Sequence, residues 1–120
     1  MDITNQIQTH TLNHLLNNED YCRRVIPFLK KEYFDQSHSI VFDLMVKFVG
    51  AHNKLPTGKV LELELQKLTL PVEELNSAAA LINELKDKSD VDTEYLINET
   101  EKWCKEKSIY NAIMESIQII

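Results

Sequence analysis

The sequence predicts an all-α fold, a compact helical bundle of about five to six helices with a long C-terminal helix, and three observations carry that prediction. The 120 residues include only two glycines and three prolines, which leaves little material for hairpin turns. Leu, Glu, Lys and Gln, all good helix formers, are abundant. The apolar residues of the longest runs recur at helical spacing rather than in strict alternation. With 43% hydrophobic and 27% charged residues, the composition is that of one globular domain with a core of its own.

Taken in order, a first helix is predicted over Thr4 to Leu16, with Ile7, Thr11, Leu12, Leu15 and Leu16 on one side, a polar back, and Asn17-Asn18 as its stop. Glu19 or Asp20 opens a second helix that runs through Ile26. Pro27 ends it, because the prolyl ring disfavours the helical conformation of the residue before it. Phe28, Leu29, Tyr33 and Phe34 then plug the core from the connecting segment. Asp35 is placed to cap the core helix, in which Ile40, Val41, Leu44, Met45, Phe48 and Val49 share a face.

The segment after Pro56 is ambiguous in pattern. VLELELQKL alternates with period two at Leu61, Leu63 and Leu65, yet Leu61, Leu65 and Leu68 also keep the i, i+4, i+7 spacing of a helix. Leu and Glu rather than β-branched residues favour a helix capped by Thr57 and running to Leu68. Pro71 then precedes a helix to about Lys86 that buries Leu75, Ala78, Ala79, Ile82 and Leu85, with small residues around Ala80 allowing close packing. Lys86 to Asp92 is polar and turn-like, and Asp92 or Thr93 caps the final helix.

That final helix divides the chain into a globular head, 1–92, and a long helix, 93–120, that packs on the head and then extends. Leu96, Trp103, Tyr110 and Ile117 recur at intervals of seven, and Ile113 and Ile120 follow the last two by three. This is a coiled-coil type of seam in the distal half. Trp103, Tyr110, Ile113, Met114, Ile117 and Ile120 are therefore the candidate self-association residues, set against the possibility that they fold back on their own domain. Ile119-Ile120 supplies no Gly, Asn or basic cap, so the helix reads as cut rather than finished.

The order Tyr33-Phe34, then His38, Ile40, Val41 and Phe42, then a helix closed by a polar loop and Pro56, resembles the N-terminal domain of DnaB-like replicative helicases. The likeness runs from about Leu12 to Ile113. Tyr21, Val25 and Ile26, with the run Glu99 to Tyr110, look most like the helicases of T4-type phages. The resemblance implies a part that assembles a hexameric ring and offers a platform to primase, possible contact with a helicase loader, and a final helix that forms the first arm of a helical hairpin against a neighbouring subunit. It also implies that the parent protein is an ATP-dependent DNA helicase whose ATP, Mg²⁺ and most of whose DNA contacts belong to a motor domain absent from this chain.

The chain itself carries no chemistry of that kind. A phosphate loop needs GxxxxGK[ST], whose backbone amides wrap the phosphates; here Gly58-Lys59 is followed by Val60, and Gly50 is the only other glycine. No catalytic residue, metal or cofactor is assigned, and the chain alone is not expected to be an enzyme. Its formal charge of −6 is the wrong sign for neutralising nucleic-acid phosphates. Arg23, Arg24, Lys30 and Lys31 form the one basic cluster, flanked by Tyr21, Phe28 and Tyr33, and are the candidate surface for a further partner, with a plain solvated face as the alternative.

His10 and His14 lie four apart on the first helix but lack an intervening Glu and a third ligand, so they read as surface or cap-proximal residues rather than as a hydrolase metal site. His38, at the positive end of the core helix, reads as a structural hydrogen-bonding residue. Glu62, Glu64, Glu73, Glu74, Glu84, Asp87, Asp90 and Asp92 read as a solvated face. Cys22 and Cys104 form no CxxC pair and read as buried thiols. No stretch has the roughly 20 apolar residues of a membrane span, and MDITNQIQTH has no secretory pattern, so the expected location is cytoplasmic, the host cytoplasm for a phage gene. A stand-alone helicase loader, adaptor or inhibitor is the alternative function; it expects a stop codon soon after Ile120, where the helicase reading expects a frame that continues into a phosphate loop.

Overall fold

Short polar residues and prolines divide the chain into its elements. The computed structural model describes the backbone of residues 3–119 and the side chains of residues 6–117. Among these, six α-helices and two 3₁₀ turns occur and no strand: α1 (Ile3–Asn17), α2 (Glu19–Val25), the turns Ile26–Phe28 and Lys31–Tyr33, α3 (Gln36–His52), α4 (Gly58–Gln66), α5 (Val72–Glu84) and α6 (Thr93–Ile119). The all-α bundle with a long last helix is therefore the fold. α1 packs against α2, α3 and α6, while α3 also carries α4 and α5.

The helix starts use the residues that can accept from free amides. Asn18 Oδ1 accepts from the Tyr21 backbone N–H at 3.1 Å, Thr57 Oγ1 from Val60 at 3.2 Å, and Asp92 Oδ2 from Tyr95 at 2.9 Å. Asp35 stands at the cap of α3 without a side-chain capping bond. Its carboxylate instead accepts from the Gln8 side-chain amide at 3.1 Å, and its backbone N–H donates to Gln8 Oε1 at 2.8 Å. This double bond pair ties the start of α3 to α1. At the other end, Asn53 takes the left-handed conformation (φ 55°) that closes α3.

α4 settles the ambiguous pattern as a helix. Leu61 and Leu65 are buried while Leu63 is 61% exposed; an alternating strand would have put all three on one face. Phe34 stacks on Phe42 with centroids 4.7 Å apart and meets Trp103 edge-on at 5.1 Å, so the connecting segment, α3 and α6 close on one aromatic cluster.

Two expectations need correcting. In α5 and at its C-cap the buried positions are Ala78, Leu81, Ile82 and Leu85, and both Ala79 and Ala80 are exposed. A leucine has far more area to remove from water than an alanine, so the i, i+3, i+4, i+7 face turns to include Leu81. The back of α1 is also not solvated: Gln8, Asn13 and His14 are buried, as is Thr11 beside Leu12 and Leu15 on the expected apolar side. The burial is tolerable because each is hydrogen-bonded. Asn13 donates to the Asp87 carbonyl at 2.6 Å and accepts from the Ser89 N–H at 2.8 Å. His14 Nε2 donates to the Val91 carbonyl at 3.0 Å, and His10 Nδ1 shares a hydrogen bond with Ser89 Oγ at 2.9 Å. His14 is thus a buried staple for the loop before α6 rather than a surface residue.

Candidate protein-interaction surface

A helix of 27 residues is about 40 Å long, close to the 43 Å longest dimension of the molecule. Its first part is built into the head. Leu96, Ile97, Thr100, Trp103 and Cys104 are all buried, and Thr100 Oγ1 bonds both Tyr21 Oη at 2.6 Å and Thr11 Oγ1 at 3.3 Å. Burial pushes the Tyr21 phenol up to about 12 and the Cys104 thiol to about 12, so both stay neutral. Trp103, one of the six seam residues expected from the heptad spacing, lies in this core, and its indole N–H is buried without a partner among the described residues.

Beyond Cys104 the helix is bare. No side chain from Lys105 to Ile117 is buried. Tyr110, Ile113, Met114 and Ile117 are 39–59% exposed, and Ile109, which the heptad count passed over, is the most exposed of the group. Ile109, Ile113 and Ile117 fall at i, i+4 and i+8, flanked by Tyr110 and Met114, so they form one continuous stripe. These residues do not fold back on their own head. Ile120 lies outside the described residues.

The basic cluster does not present four free cations. Arg23 pairs with Glu19 at 2.6 Å, Arg24 with Glu94 at 2.5 Å, and Lys31 lies 3.7 Å from Asp43. Lys30 has no ion-pair partner among the described residues and stands at the rim of an apolar groove. That groove was not visible in sequence, because its walls come from four separated segments: Leu15 of α1, the stretch from α2 through Lys31, α3, and Leu55-Pro56. It encloses about 330 Å³, with Leu15, Leu29 and Met45 among its lining and Ile26 and Val46 exposed within it. Large exposed apolar side chains around a concave apolar surface mark an interaction site.

His38 meets Thr9 Oγ1 at 2.9 Å, and its pKa is lowered, chiefly by burial, against the opposing pull of Asp35. It joins α3 to α1. Among the described residues no cluster of three His, Cys, Asp or Glu is placed to hold a metal, and no helix is long and apolar enough to cross a membrane.

A helix anchored in the head ends in a bare apolar stripe, the kind of surface that marks an interaction site. The chain is similar to a DnaB-like replicative helicase. That protein, from Enterobacteria phage T4, is 28% identical over 109 residues, which is 90% of this chain but 23% of the helicase. The resemblance read from Tyr33 to Pro56 therefore holds across nearly the whole chain, while the chain spans about a quarter of its relative. No family model matches.

Proposed function

We propose that this chain is the N-terminal, ring-assembling domain of a phage replicative DNA helicase. The supporting observation is the bare stripe from Ile109 to Ile117 on a helix whose proximal half is fixed in the head, in a chain similar to a replicative helicase along 90% of its own length. The stripe joins subunits, the heads form a collar, and the collar keeps six motor domains in register around DNA. Primase docks on the outer face of the collar, and a helicase loader engages the same assembly. ATP and Mg²⁺ act in the motor domain, which supplies the phosphate loop that Gly58-Lys59-Val60 does not, and the acidic head leaves most DNA contact to that domain.

The reading is tested on the complete reading frame. Sequencing past Ile120 is expected to reach a GxxxxGK[ST] motif. Native mass spectrometry of the full product is expected to show a hexamer, and Ile113→Asp with Ile117→Asp to reduce it to smaller species that still hydrolyse ATP. A stop codon just after Ile120, or an unchanged hexamer in the double variant, overturns the proposal.

A further inference from the structure

We infer that the apolar groove of one copy receives the distal half of α6 from a second copy, and that the exchange is reciprocal. This rests on the reading of distal α6 as the association surface, and adds where it docks.

The groove and the stripe are complementary in three respects. The stripe is an amphipathic helical face with anchors at i, i+4 and i+8, the form that enters a hydrophobic groove. The groove offers apolar walls, and Ile26 and Val46 remain 39% and 42% exposed although they line it. Charge fits as well. Glu106 stands four residues before Tyr110 and seven before Ile113, in line with the stripe, and has no ion-pair partner among the described residues. Lys30, at the groove rim, has none either. Docking the helix brings one unpaired acid to one unpaired base.

The extent of the surfaces favours exchange over one-way docking. Thirteen residues line the groove, and the bare segment Lys105–Ile117 also offers thirteen positions. A stable interface takes about 20–30 residues from each side. One helix in one groove falls short, whereas two-fold exchange has each copy contribute both surfaces and reaches that range. A copy's own stripe is exposed, so it does not fill its own groove.

Sedimentation equilibrium of the full chain tests this. The unaltered chain is expected to dimerise. Val46→Asp, at an exposed groove position, and Ile113→Asp, in the stripe, each place a charge in an apolar contact and should weaken dimerisation about a hundredfold. Both variants should keep the melting temperature of the dilute chain. Mixing them restores one sound groove and one sound helix per pair, so the heterodimer should be tighter than either variant's homodimer and weaker than the unaltered dimer. Lys30→Glu should weaken the dimer about fivefold, with recovery when Glu106→Lys is added. If Ile113→Asp dissociates the dimer but Val46→Asp does not, stripes pair with stripes: the groove inference falls and the assembly reading stands. A chain that stays monomeric at every accessible concentration also overturns the inference and leaves the groove to another partner, while the hexamer measurement separately decides the assembly reading.

Discussion

The two halves of α6 obey the same helical geometry and have opposite surroundings. From Thr93 to Cys104 the helix is held by a cap, a buried hydroxyl network and an aromatic cluster; from Lys105 to Ile117 no side chain is buried. The apolar content of the halves does not explain this. Leu96, Ile97 and Trp103 are no more apolar than Ile109, Ile113 and Ile117. What separates them is that the proximal half has α1, α2 and the second 3₁₀ turn against it. Hydrophobicity alone therefore identifies residues that must be covered, and topology decides whether the same chain covers them.

The largest effect should come from substituting one apolar residue in each half. Leu96→Ala removes fully buried bulk and should lower unfolding stability by about 2–5 kcal/mol. Ile113→Ala in the dilute chain should change it by less than about 0.5 kcal/mol, as at other surface positions. Urea denaturation of both variants makes the comparison. Similar losses would mean that the distal half is sheathed after all.

Next in size is the hydroxyl network that anchors the proximal half. Thr100→Val leaves the buried Tyr21 hydroxyl without its closest partner and should cost about 1–3 kcal/mol. Adding Tyr21→Phe removes the orphaned group and should recover much of that loss. A double variant as unstable as the sum of the two single ones would show that the hydroxyls act independently. Amide hydrogen exchange on the dilute chain extends the test along the helix: protection should be strong up to about Cys104 and weak beyond it, since an unsheathed helical end frays.

Much of this arrangement was legible in the sequence where a local signal exists. The α3 face, the caps Thr57 and Asp92, and the apolar spacing of the distal stripe, though not its exposure, follow from spacing and capping chemistry that involve only near neighbours. The burial of Asn13 and His14, and the bond that holds His10, were not, because their partners at Asp87, Val91 and Ser89 lie more than seventy residues away. The available signal was their spacing with Asn17, at i, i+3, i+4 and i+7, which makes a stripe of groups able to bond backbone. Trp103 shares the heptad count of Tyr110 and Ile117, so periodicity alone could not tell the anchored half from the bare one. The groove was hidden for a similar reason: Leu15, Ile26 and Val46 belong to three helical segments whose meeting is a tertiary event. The reduced freedom of the basic cluster also depends on a distant residue, since Glu94 reaches Arg24 across the fold.

That Arg24–Glu94 pair supplies the smallest and most condition-dependent prediction about the anchoring of α6. It joins α2 to the first turn of α6 through two hydrogen bonds, at 2.5 and 3.2 Å. The bond from Arg24, and then its charge, lower the Glu94 pKa. A carboxylate with a lowered folded-state pKa stabilises the fold above its unfolded value of about 4.3 and loses that contribution as pH falls through the folded value. Both side chains are solvent-exposed, so the contribution should be small and screened by salt. Glu94→Gln should therefore lower the melting temperature slightly at neutral pH and low ionic strength. The difference from the unaltered chain should vanish at acidic pH and in molar salt, while exchange rates beyond Cys104 stay as they were. A loss that persists under both conditions would assign Glu94 a packing role, and faster distal exchange would mean that the two halves of the helix are not independent.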